Sequence, residues 1–250
     1  MKVIILVDGR DAQGSLKNFL EQEGLEVIVF ENELTILERI RLIKPDLILL
    51  DQILPGKNST EAVRKVRGHD LYSTLPIIMV SDLSDEDDKV SALNIGVDVY
   101  MTKPFSQKEL VARIKAMVRR PVRDKENSVL KQRIDRGGVV IDYLAHRAWV
   151  DKNEITLTYT EFKILSELLK HDGQVITREE LCDLALRNPE VSNRTIDVHM
   201  ASLRRKLGSA CDKITTVRGV GYRFADPLDK ETAPDFCNDT AKGTPSRAAP

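Results

Sequence analysis

The sequence predicts two domains: an α/β domain with a doubly wound, five-stranded parallel sheet, and a smaller α+β domain after it. The first 118 residues alternate apolar strand-like runs with amphipathic helical runs, which is typical of a parallel sheet covered on both faces. The chain has 250 residues, which suits two ordinary domains. Residues 1–118 carry 15 basic and 19 acidic side chains, whereas residues 119–226 carry 20 and 16. The second part is therefore the one expected to bind a polyanion.

Composition excludes several classes of protein. With 42% apolar and 31% charged residues, the chain is expected to be soluble and globular. Its first apolar run, Val3–Val7, is too short for a signal peptide or a membrane span, so a cytoplasmic location is expected. The cysteines (Cys182, Cys211 and Cys237) are odd in number and lack metal-ligand spacing, and the four histidines are scattered. Neither a disulfide framework nor a zinc site is expected.

The elements of the first domain follow from apolar periodicity. Strands are predicted at Val3–Val7, Val27–Phe30, Leu47–Leu50, Ile77–Val80 and Val99–Met101. Helices are predicted over Ser15–Glu23, Glu33–Ile43, Thr60–Val66, Asp85–Asn94 and Gln107–Val118. In such a sheet, ligand chemistry gathers beyond the carboxyl ends of the strands, where Asp8, Asp51, Ser81 and Lys103 lie. A carboxylate, a hydroxyl and a lysine that converge at one edge are suited to phosphoryl transfer.

The motifs at this edge carry a family resemblance. L-L-D-Q-I-L-P-G around Asp51, M-V-S-D at Ser81 and V-Y-M-T-K-P-F at Lys103 resemble those of response-regulator receiver domains. The resemblance implies that Asp51 is the phosphoacceptor, that Ser81 bonds the phosphoryl group and that Lys103 is its counter-charge. It also implies that Tyr100 is an aromatic switch residue and that the Lys103–Pro104 peptide bond is cis. The alternative is that Asp51 is simply a carboxylate at a strand end.

The expected metal site departs from the family pattern. The resemblance implies a Mg²⁺ site whose ligands would be Asp8, Asp51 and the backbone of Ile53. Gly9 and Arg10 follow Asp8 where the family usually has acids, and Gly9 takes the place of the direct ligand. Losing a carboxylate from so small a set should weaken Mg²⁺ binding markedly. Whether the protein binds Mg²⁺, and whether Asp51 is phosphorylated, are therefore both open at this point. One hypothesis is that Arg10 neutralises Asp51 without a metal; another is that Asp11 replaces the missing ligand.

A dimer surface is also implied by the resemblance. Receivers similar to this one pair through their last two helices and the strand between them. The residues placed for intermolecular ion pairs are Lys89, Asp98, Glu109 and Arg113. Val99 replaces a residue that is commonly acidic in the family, which reduces the number of expected intermolecular ion pairs. The alternative is a solvated charged face, since exposed pairs contribute little.

The second domain is predicted from turn and cap signals. The first domain should cover residues 1–119, a charged linker with Pro121 should cover 120–131, and the second domain should cover 132–226. Strand-like runs lie at Gly137–Asp142, Arg147–Val150 and Ile155–Leu157. One helix should begin after a cap at Thr158 or Thr160, and a second near Thr177. Residues 227–250 are expected to be a disordered tail.

A basic helix is predicted over Ser192–Gly208. Helical spacing puts Ile196, Met200, Leu203 and Leu207 on one stripe that should face a core. The rest of the helix has one acid, Asp197, against four bases and several short side chains. Arginine and lysine side chains that flank short residues suit the major groove of DNA, where these long cationic side chains reach the phosphates. A basic, solvated helix is the alternative.

The run that follows this helix indicates a winged helix. Ile214–Phe224 alternates β-formers around two glycines, which predicts a hairpin with a tight turn at Gly219–Gly221. With R-T-I-D-V-H, L-R-R-K-L and T-V-R-G-V-G-Y-R-F, the region resembles the effector domain of the OmpR/PhoB family of response regulators. The DNA contacts implied are Arg194, Thr195, Val198, His199, Ser202, Arg204, Arg205, Thr216 and Arg218. Lys206 should also contact phosphates, and Ser202, where the family often has a base, predicts a changed DNA preference.

The sequence therefore predicts a two-component transcription regulator, not an enzyme, that binds promoter DNA as a homodimer. A sensor histidine kinase is the expected phosphodonor, and RNA polymerase is expected to contact Arg187–Val191, although turn chemistry also explains that loop. One alternative is a regulator that dimerises and binds DNA independently of phosphorylation, because of Gly9 and Arg10. Two others are an enzyme that turns over a phosphoryl substrate at Asp51, and a sequestering protein whose winged helix does not bind DNA.

Overall fold

The computed structural model describes residues 1–6, 10–30, 35–54, 57–118, 133–171, 173–186 and 193–225. The predicted linker and tail, and the loop Arg187–Val191, lie outside these ranges. The strands of the first domain are β1 (Lys2–Leu6), β2 (Glu26–Val29), β3 (Leu47–Asp51), β4 (Ile53–Leu54), β5 (Lys57–Asn58), β6 (Ile77–Ser81) and β7 (Val99–Thr102). Its helices are α1 (Arg10–Gln22), α2 (Ile36–Ile43), α3 (Ser59–Arg67), α4 (Glu86–Asn94) and α5 (Gln107–Val118).

The predicted doubly wound sheet is confirmed. Five parallel strands lie in the order β2-β1-β3-β6-β7. Along β3, Leu47 and Leu49 pack with α1 and α5, whereas Ile48 and Leu50 pack with α2, α3 and α4. Every residue of β3 is buried, as expected of a strand covered on both faces. This burial fixes where β3 ends, and so where Asp51 lies.

The first domain differs from the prediction at the start of α1 and in one short strand pair. Helix α1 begins at Arg10 rather than Ser15, because its first turn lacks the apolar spacing on which the prediction relied. The described part of α2 begins at Ile36, and the predicted start at Glu33 lies outside the described residues. The short antiparallel pair β4–β5 was not predicted, since two residues carry no periodicity.

The second domain has two antiparallel sheets and three α-helices among its described residues. Its strands are β8 (Arg133–Arg136), β9 (Val139–Asp142), β10 (Arg147–Val150), β11 (Asn153–Ile155), β12 (Val175–Thr177), β13 (Ile214–Val217) and β14 (Gly221–Phe224). Its helices are α6 (Tyr159–Lys170), α7 (Arg178–Leu181) with a π-helical extension (Cys182–Leu186), and α8 (Asn193–Leu207) with a 3-10 extension (Gly208–Lys213). The sheets are ordered β11-β10-β9-β8 and β12-β14-β13.

Capping residues start two of these helices as predicted. Thr158, rather than Thr160, caps α6: its backbone N–H donates to Glu161 Oε2 at 2.7 Å, and its hydroxyl accepts from the Glu161 N–H. Thr177 and Glu180 form the same capping box on α7. A cap of this kind stabilises a helix by about 1 kcal/mol.

The stripe of α8 that was predicted to be buried faces the core. Ile196, Met200, Leu203 and Leu207 are at most 1% exposed, and they share a cluster with Phe162 of α6. Packing against α6 thus fixes the rotation of α8 about its axis. The residues between the stripe positions, including the predicted DNA contacts, therefore point away from this core.

Strands β8 and β12 were missed. Strand β8 has only Ile134 as an apolar residue, and β12 has three residues, so neither shows a pattern. The hairpin β13–β14 is confirmed, but Gly221 lies in β14 rather than in the turn. An added Cβ at Gly221 would lie 2.0 Å from the Ile176 carbonyl oxygen of β12. The glycine thus allows β12 to join the sheet, whereas Gly219, at φ 74°, supplies the turn.

Candidate functional site

Asp51 and Lys103 meet at the carboxyl edge of the parallel sheet. Asp51 is the last residue of β3 and is fully buried. Lys103, which follows β7, places its Nζ 2.6 Å from Asp51 Oδ2 and 3.1 Å from Asp82 Oδ2. The Lys103–Pro104 peptide bond is cis, as predicted. The edge therefore holds a buried carboxylate with a cation directly against it.

The charge of Lys103 is stabilised by these carboxylates. Burial lowers the pKa of the Lys103 ammonium, but hydrogen bonds and attraction from Asp51 and Asp82 outweigh burial, so that the pKa is raised overall. Lys103 is therefore cationic throughout the physiological pH range. A cation held in this way can offset the negative charge of a phosphoryl group.

Ser81 and Tyr100 lie next to this pair and organise the loop after β6. Ser81 is fully buried, and its Oγ accepts a hydrogen bond from the Leu83 N–H at 3.0 Å. The Tyr100 hydroxyl lies 2.6 Å from Gln52 Oε1 and 2.9 Å from the Leu83 carbonyl oxygen, and these two acceptors share its one proton. Burial raises the pKa of Tyr100, which keeps this donor protonated. Through Leu83, both predicted switch residues hold the segment that leads into α4.

The predicted metal ligands are only partly described. Asp8 and Gly9 lie outside the described residues, and Arg10, Asp11 and Ile53 are described in backbone only. Within the described ranges, no three histidine, cysteine, aspartate or glutamate side chains are grouped to hold a metal ion. Asp51 is thus the one predicted carboxylate ligand with a described position, and Lys103 occupies one of its oxygens.

The outward residues of α8 differ sharply in exposure. Arg194, Ala201 and Arg205 are exposed, and Thr195 and Val198 are partly exposed. His199 and Ser202, in contrast, are 2% and 9% exposed. These two predicted DNA contacts are therefore inaccessible to DNA in this arrangement, because the first domain packs over them.

The hairpin and α7 hold α8 through polar contacts. Arg204 Nη2 donates to the Ile214 carbonyl oxygen at 2.7 Å and to Thr216 Oγ1 at 2.8 Å, so Arg204, a predicted DNA contact, here ties α8 to β13. Arg178 Nε and the Tyr222 hydroxyl both donate to Asp197 Oδ1, at 2.8 and 2.6 Å. The single acid of α8 thus ties this helix to α7 and β14. Arg218, between β13 and β14, is exposed.

Asp98 joins the two domains. It lies just before β7 and is fully buried. Its Oδ2 accepts from Arg67 Nη2 at 2.7 Å and from the Ile77 N–H at 2.9 Å, and its Oδ1 accepts from the Thr160 N–H in α6 at 2.8 Å. A carboxylate of the first domain thus accepts from an N–H group in the first turn of α6. The prediction of Asp98 as an exposed charge on a dimer surface does not hold in this arrangement, because Arg67 and α6 enclose it.

Helix α8 packs against α4 at the same domain interface. Arg194 approaches Glu86 Oε1 at 3.7 Å and Asp87 Oδ1 at 4.0 Å. Lys206, a predicted phosphate contact, pairs with the buried Glu161 at 2.6 Å. Two basic side chains of α8 that were expected to contact DNA, Arg194 and Lys206, therefore lie beside acidic side chains.

His199 lies where α8 meets the first domain. Its pKa is lowered mainly by burial; Asp98 and Glu161 raise it and Arg67 lowers it further. Its Nε2 is buried without a hydrogen-bond partner among the described residues. The imidazole is consequently neutral at neutral pH while the domains are docked.

The other predicted dimer residues lie outside this contact network. Arg113 forms an ion pair with Glu109 one turn away in α5. Lys89, in α4, shows no ion pair with the other described residues. Within one chain, Glu109 and Arg113 are thus partners of each other, and an intermolecular role would require them to exchange partners.

Sequence reasoning missed the residues that build the interface. Thr160 appeared only as a possible cap, and Arg67 carried no signal, although its guanidinium donates to Asp98 and to three backbone carbonyls. Glu161 was not predicted to have a role at this interface. Contacts between residues 62 positions apart, such as Asp98 and Thr160, leave no local pattern.

In the described part of the chain, no helix has the length and apolar character needed to cross a membrane.

Comparison with known proteins agrees with this architecture. Residues 3–115 match the family model described as "Response regulator receiver domain", and residues 152–224 match "Transcriptional regulatory protein, C terminal". The phosphate regulon transcriptional regulatory protein PhoB of Pseudomonas aeruginosa is 37% identical over 231 residues, covering 90% of this chain and 97% of PhoB. The alkaline phosphatase synthesis transcriptional regulatory protein PhoP of Bacillus subtilis is 35% identical over 241 residues, covering 92% and 99%.

A solved structure of a RitR mutant has a TM-score of 0.72 at 26% identity, covering 89% of this chain and 98% of that one. A match of this extent includes both domains in one superposition. Together with the two family models and the relatives, it agrees with a receiver joined to a transcriptional regulatory domain. The chain belongs to the OmpR/PhoB family of DNA-binding response regulators.

Proposed function

We propose that this protein is phosphorylated on Asp51 and then binds promoter DNA as a homodimer through α8 and the β13–β14 hairpin. The observation that carries the proposal is the buried Asp51 carboxylate with Lys103 Nζ 2.6 Å away. We place the receiver at residues 1–119, the linker at 120–131 and the DNA-binding domain at 132–226. Because its partner is promoter DNA, we propose the cytoplasm as its location.

The chemistry at Asp51 would be a single phosphoryl transfer. A carboxylate oxygen of Asp51 attacks the phosphorus of a phosphohistidine on a sensor kinase, and the P–N bond breaks as the imidazole leaves and takes up a proton. Lys103 offsets charge on the phosphoryl oxygens, and the Ser81 hydroxyl donates to one of them after it turns from Leu83. The product is an acyl phosphate on Asp51, so the protein is a substrate and not a turnover catalyst.

The donor set does not fit the usual Mg²⁺ site of a receiver. Asp8, Asp51 and the Ile53 carbonyl are the groups that would hold the ion, and Gly9 supplies no carboxylate. Asp51 also shares one oxygen with Lys103. Charge compensation in this account therefore rests on Lys103, and no step is assigned to a metal.

Release of the recognition helix would follow from the switch residues. Ser81 and Tyr100 hold the segment that leads into α4, and α4 packs on α8. Tyr100 also lies in β7, two residues after Asp98, the carboxylate that holds α6. A phosphoryl group that draws Ser81 away from Leu83 would shift α4 and loosen both contacts.

Dimerisation would use a surface of α4 and α5 that docking covers in part, at α4. Lys89 in α4 and Glu109 and Arg113 in α5 are the residues we propose for intermolecular ion pairs. Because α4 contacts α8 in the docked chain, a partner receiver could occupy this face fully only after α8 has left. Dimerisation and exposure of α8 would then favour one another.

DNA contacts would come from the exposed face of α8 and from the hairpin. We propose Arg194, Thr195, Val198 and Arg205 in the major groove and Arg218 in the minor groove, with His199 and Ser202 joining after undocking. Arg204 and Thr216 would add contacts beside the hairpin, and RNA polymerase would contact the loop Arg187–Val191.

DNA binding is tested through its salt dependence. Arg205→Ala and Arg218→Ala should each weaken binding to a site selected from random DNA, and each should reduce the slope of log affinity against log salt by about one unit. Arg41→Ala, which removes an exposed arginine from α2, is the matched control and should change neither. Fluorescence anisotropy of labelled DNA measures both quantities. Slopes that are the same in all four proteins would contradict the proposed interface.

A further inference from the structure

A cavity of about 430 Å³ lies between α3 of the receiver and the recognition helix α8. Arg64, Gly68 and Asn94 line it from the receiver, and Ser202 and Arg205 line it from α8. Its volume is within the range of small-molecule sites, and its walls come from both domains. A molecule bound there would touch the DNA-binding helix and the receiver together.

Cations outnumber acids around this cavity. Arg64 and Arg67 come from α3, and Arg205 and Lys206 come from α8. Two carboxylates compensate two of these charges, because Asp98 pairs with Arg67 and Glu161 with Lys206. Arg64 and Arg205 are exposed and have no ion pair with any other described residue.

Docking therefore brings two uncompensated guanidinium groups, one from each domain, to the same cavity. Like charges that face one cavity oppose the docked arrangement, and a bound anion would reverse the sign of this effect. A guanidinium offers paired N–H donors that match two oxygens of one phosphate group. An anion with two phosphate groups can engage one arginine from each side.

We propose that this cavity binds a small phosphorylated anion that bridges Arg64 and Arg205 and stabilises the docked arrangement. The Asn94 amide would supply a neutral hydrogen bond beside the charged groups. The cavity has room for a compact di- or trianion such as pyrophosphate, with space left for a small organic substituent.

Such a ligand would oppose DNA binding. Arg205 is one of the proposed DNA contacts, so the bound anion and DNA would compete for the same guanidinium. Binding to the docked state alone also shifts the population away from the exposed recognition helix. This consequence rests on the proposed function, whereas binding of the anion itself does not.

Direct binding is the first test. Isothermal titration calorimetry of the full-length protein with inorganic pyrophosphate, at constant ionic strength, should give saturable binding to one site per chain. Arg64→Gln should weaken it on the order of tenfold, the size expected for one charge-assisted pair, and Arg64→Lys should restore part of the affinity. Arg41→Gln, an exposed arginine on α2, should bind like the wild type. Absence of saturable binding, or equal affinity in wild type and Arg64→Gln, would overturn the proposal.

Competition with DNA is the second test. Pyrophosphate should weaken DNA binding of the wild type several-fold more than sodium chloride of the same ionic strength, and this excess should vanish in Arg64→Gln. An equal excess in Arg64→Gln would show that the anion competes on the DNA face itself, and it would overturn the bridging site. If pyrophosphate binds through Arg64 but the protein binds no DNA, the site stands and the proposed function fails.

Discussion

Asp98 and Arg67 form a buried ion pair on which both domains depend. The Arg67 side chain is 10% exposed and Asp98 is fully buried, at 2.7 Å. Burial lowers the pKa of Arg67, although Asp98 opposes this. A buried charge that loses its partner is strongly destabilising, whereas the intact pair contributes little net free energy. The role of the pair is therefore positional: Asp98 holds the N-terminus of α6 against the receiver.

Removal of this carboxylate should destabilise the protein. Asp98→Ala removes the ion-pair partner of the buried Arg67 and the carboxylate that accepts from the Ile77 and Thr160 N–H groups. We expect the free energy of unfolding to fall by about 3–5 kcal/mol, as measured by urea denaturation. Glu23→Ala, which breaks an exposed pair with Lys115, is the control and should cost at most about 1 kcal/mol. Equal losses in both variants would contradict the account.

His199 should make docking sensitive to pH. Because burial lowers the pKa of the docked imidazole, the docked form binds fewer protons than a form in which His199 is exposed. Docking is then strongest above the ordinary histidine pKa of about 6.5 and weakens as pH falls through that value. Asp98 and Glu161 face His199 and reduce the effect, and Arg67 increases it.

The variant His199→Gln removes the titration and keeps a polar side chain. The wild type should lose more stability than His199→Gln between about pH 7.5 and about pH 5.5, as measured by urea denaturation at each pH. His171→Gln, on the far end of α6, is the control and should retain the wild-type difference. Superimposable profiles for wild type and His199→Gln would show that docking does not depend on this imidazole.

At the scale of elements, close backbone contact decides how the hairpin is built. Strand β14 pairs with β12 on one side and β13 on the other. Gly221 makes the first pairing possible because a side chain there would collide with the β12 backbone. The hairpin is thereby tied to the segment that starts α7, so the hairpin and α8 keep a fixed relation.

Gly221→Ala should disrupt this sheet. The added Cβ would lie 2.0 Å from a backbone oxygen, and backbone cannot yield as a flexible side chain can. We expect a loss of several kcal/mol of stability and a lower melting temperature. Gly14→Ala in α1 is the matched control, because its Cβ meets nothing within 4 Å, and it should stabilise by up to about 1 kcal/mol. If Gly221→Ala melts like the wild type, the close approach does not constrain the hairpin.

The sequence predicted elements wherever periodicity or capping gave a local signal. The five strands of the main sheet, a cap at one of Thr158 and Thr160, the cap at Thr177 and the buried stripe of α8 are confirmed. Strands β8 and β12 were missed, because pairing with neighbouring strands holds them in their sheets and their own side chains show no alternating pattern. Asp51, Ser81 and Lys103 could be placed at one edge because parallel topology alone fixes strand ends.

At the scale of the whole molecule, docking of the two domains covers part of the polar face of α8. The outward positions His199 and Ser202 are buried, and Arg194 approaches acids of α4. Periodicity could assign these residues to a polar face, but it could not show that the receiver covers that face. The relation between domains depends on long-range contacts such as Asp98 with Thr160, which single-sequence patterns do not report. The proposed regulation is the equilibrium between this docked state and the DNA-bound state.

The most direct test of this balance is the DNA affinity of the full-length protein with and without beryllofluoride, which mimics a phosphoryl group on Asp51. The account predicts a several-fold tightening in the wild type and in Asp70→Ala, an exposed receiver control, and no change in Asp51→Ala. Tight binding that is the same with and without beryllofluoride would contradict it, and would mean that the receiver serves as a dimerisation module independent of phosphorylation.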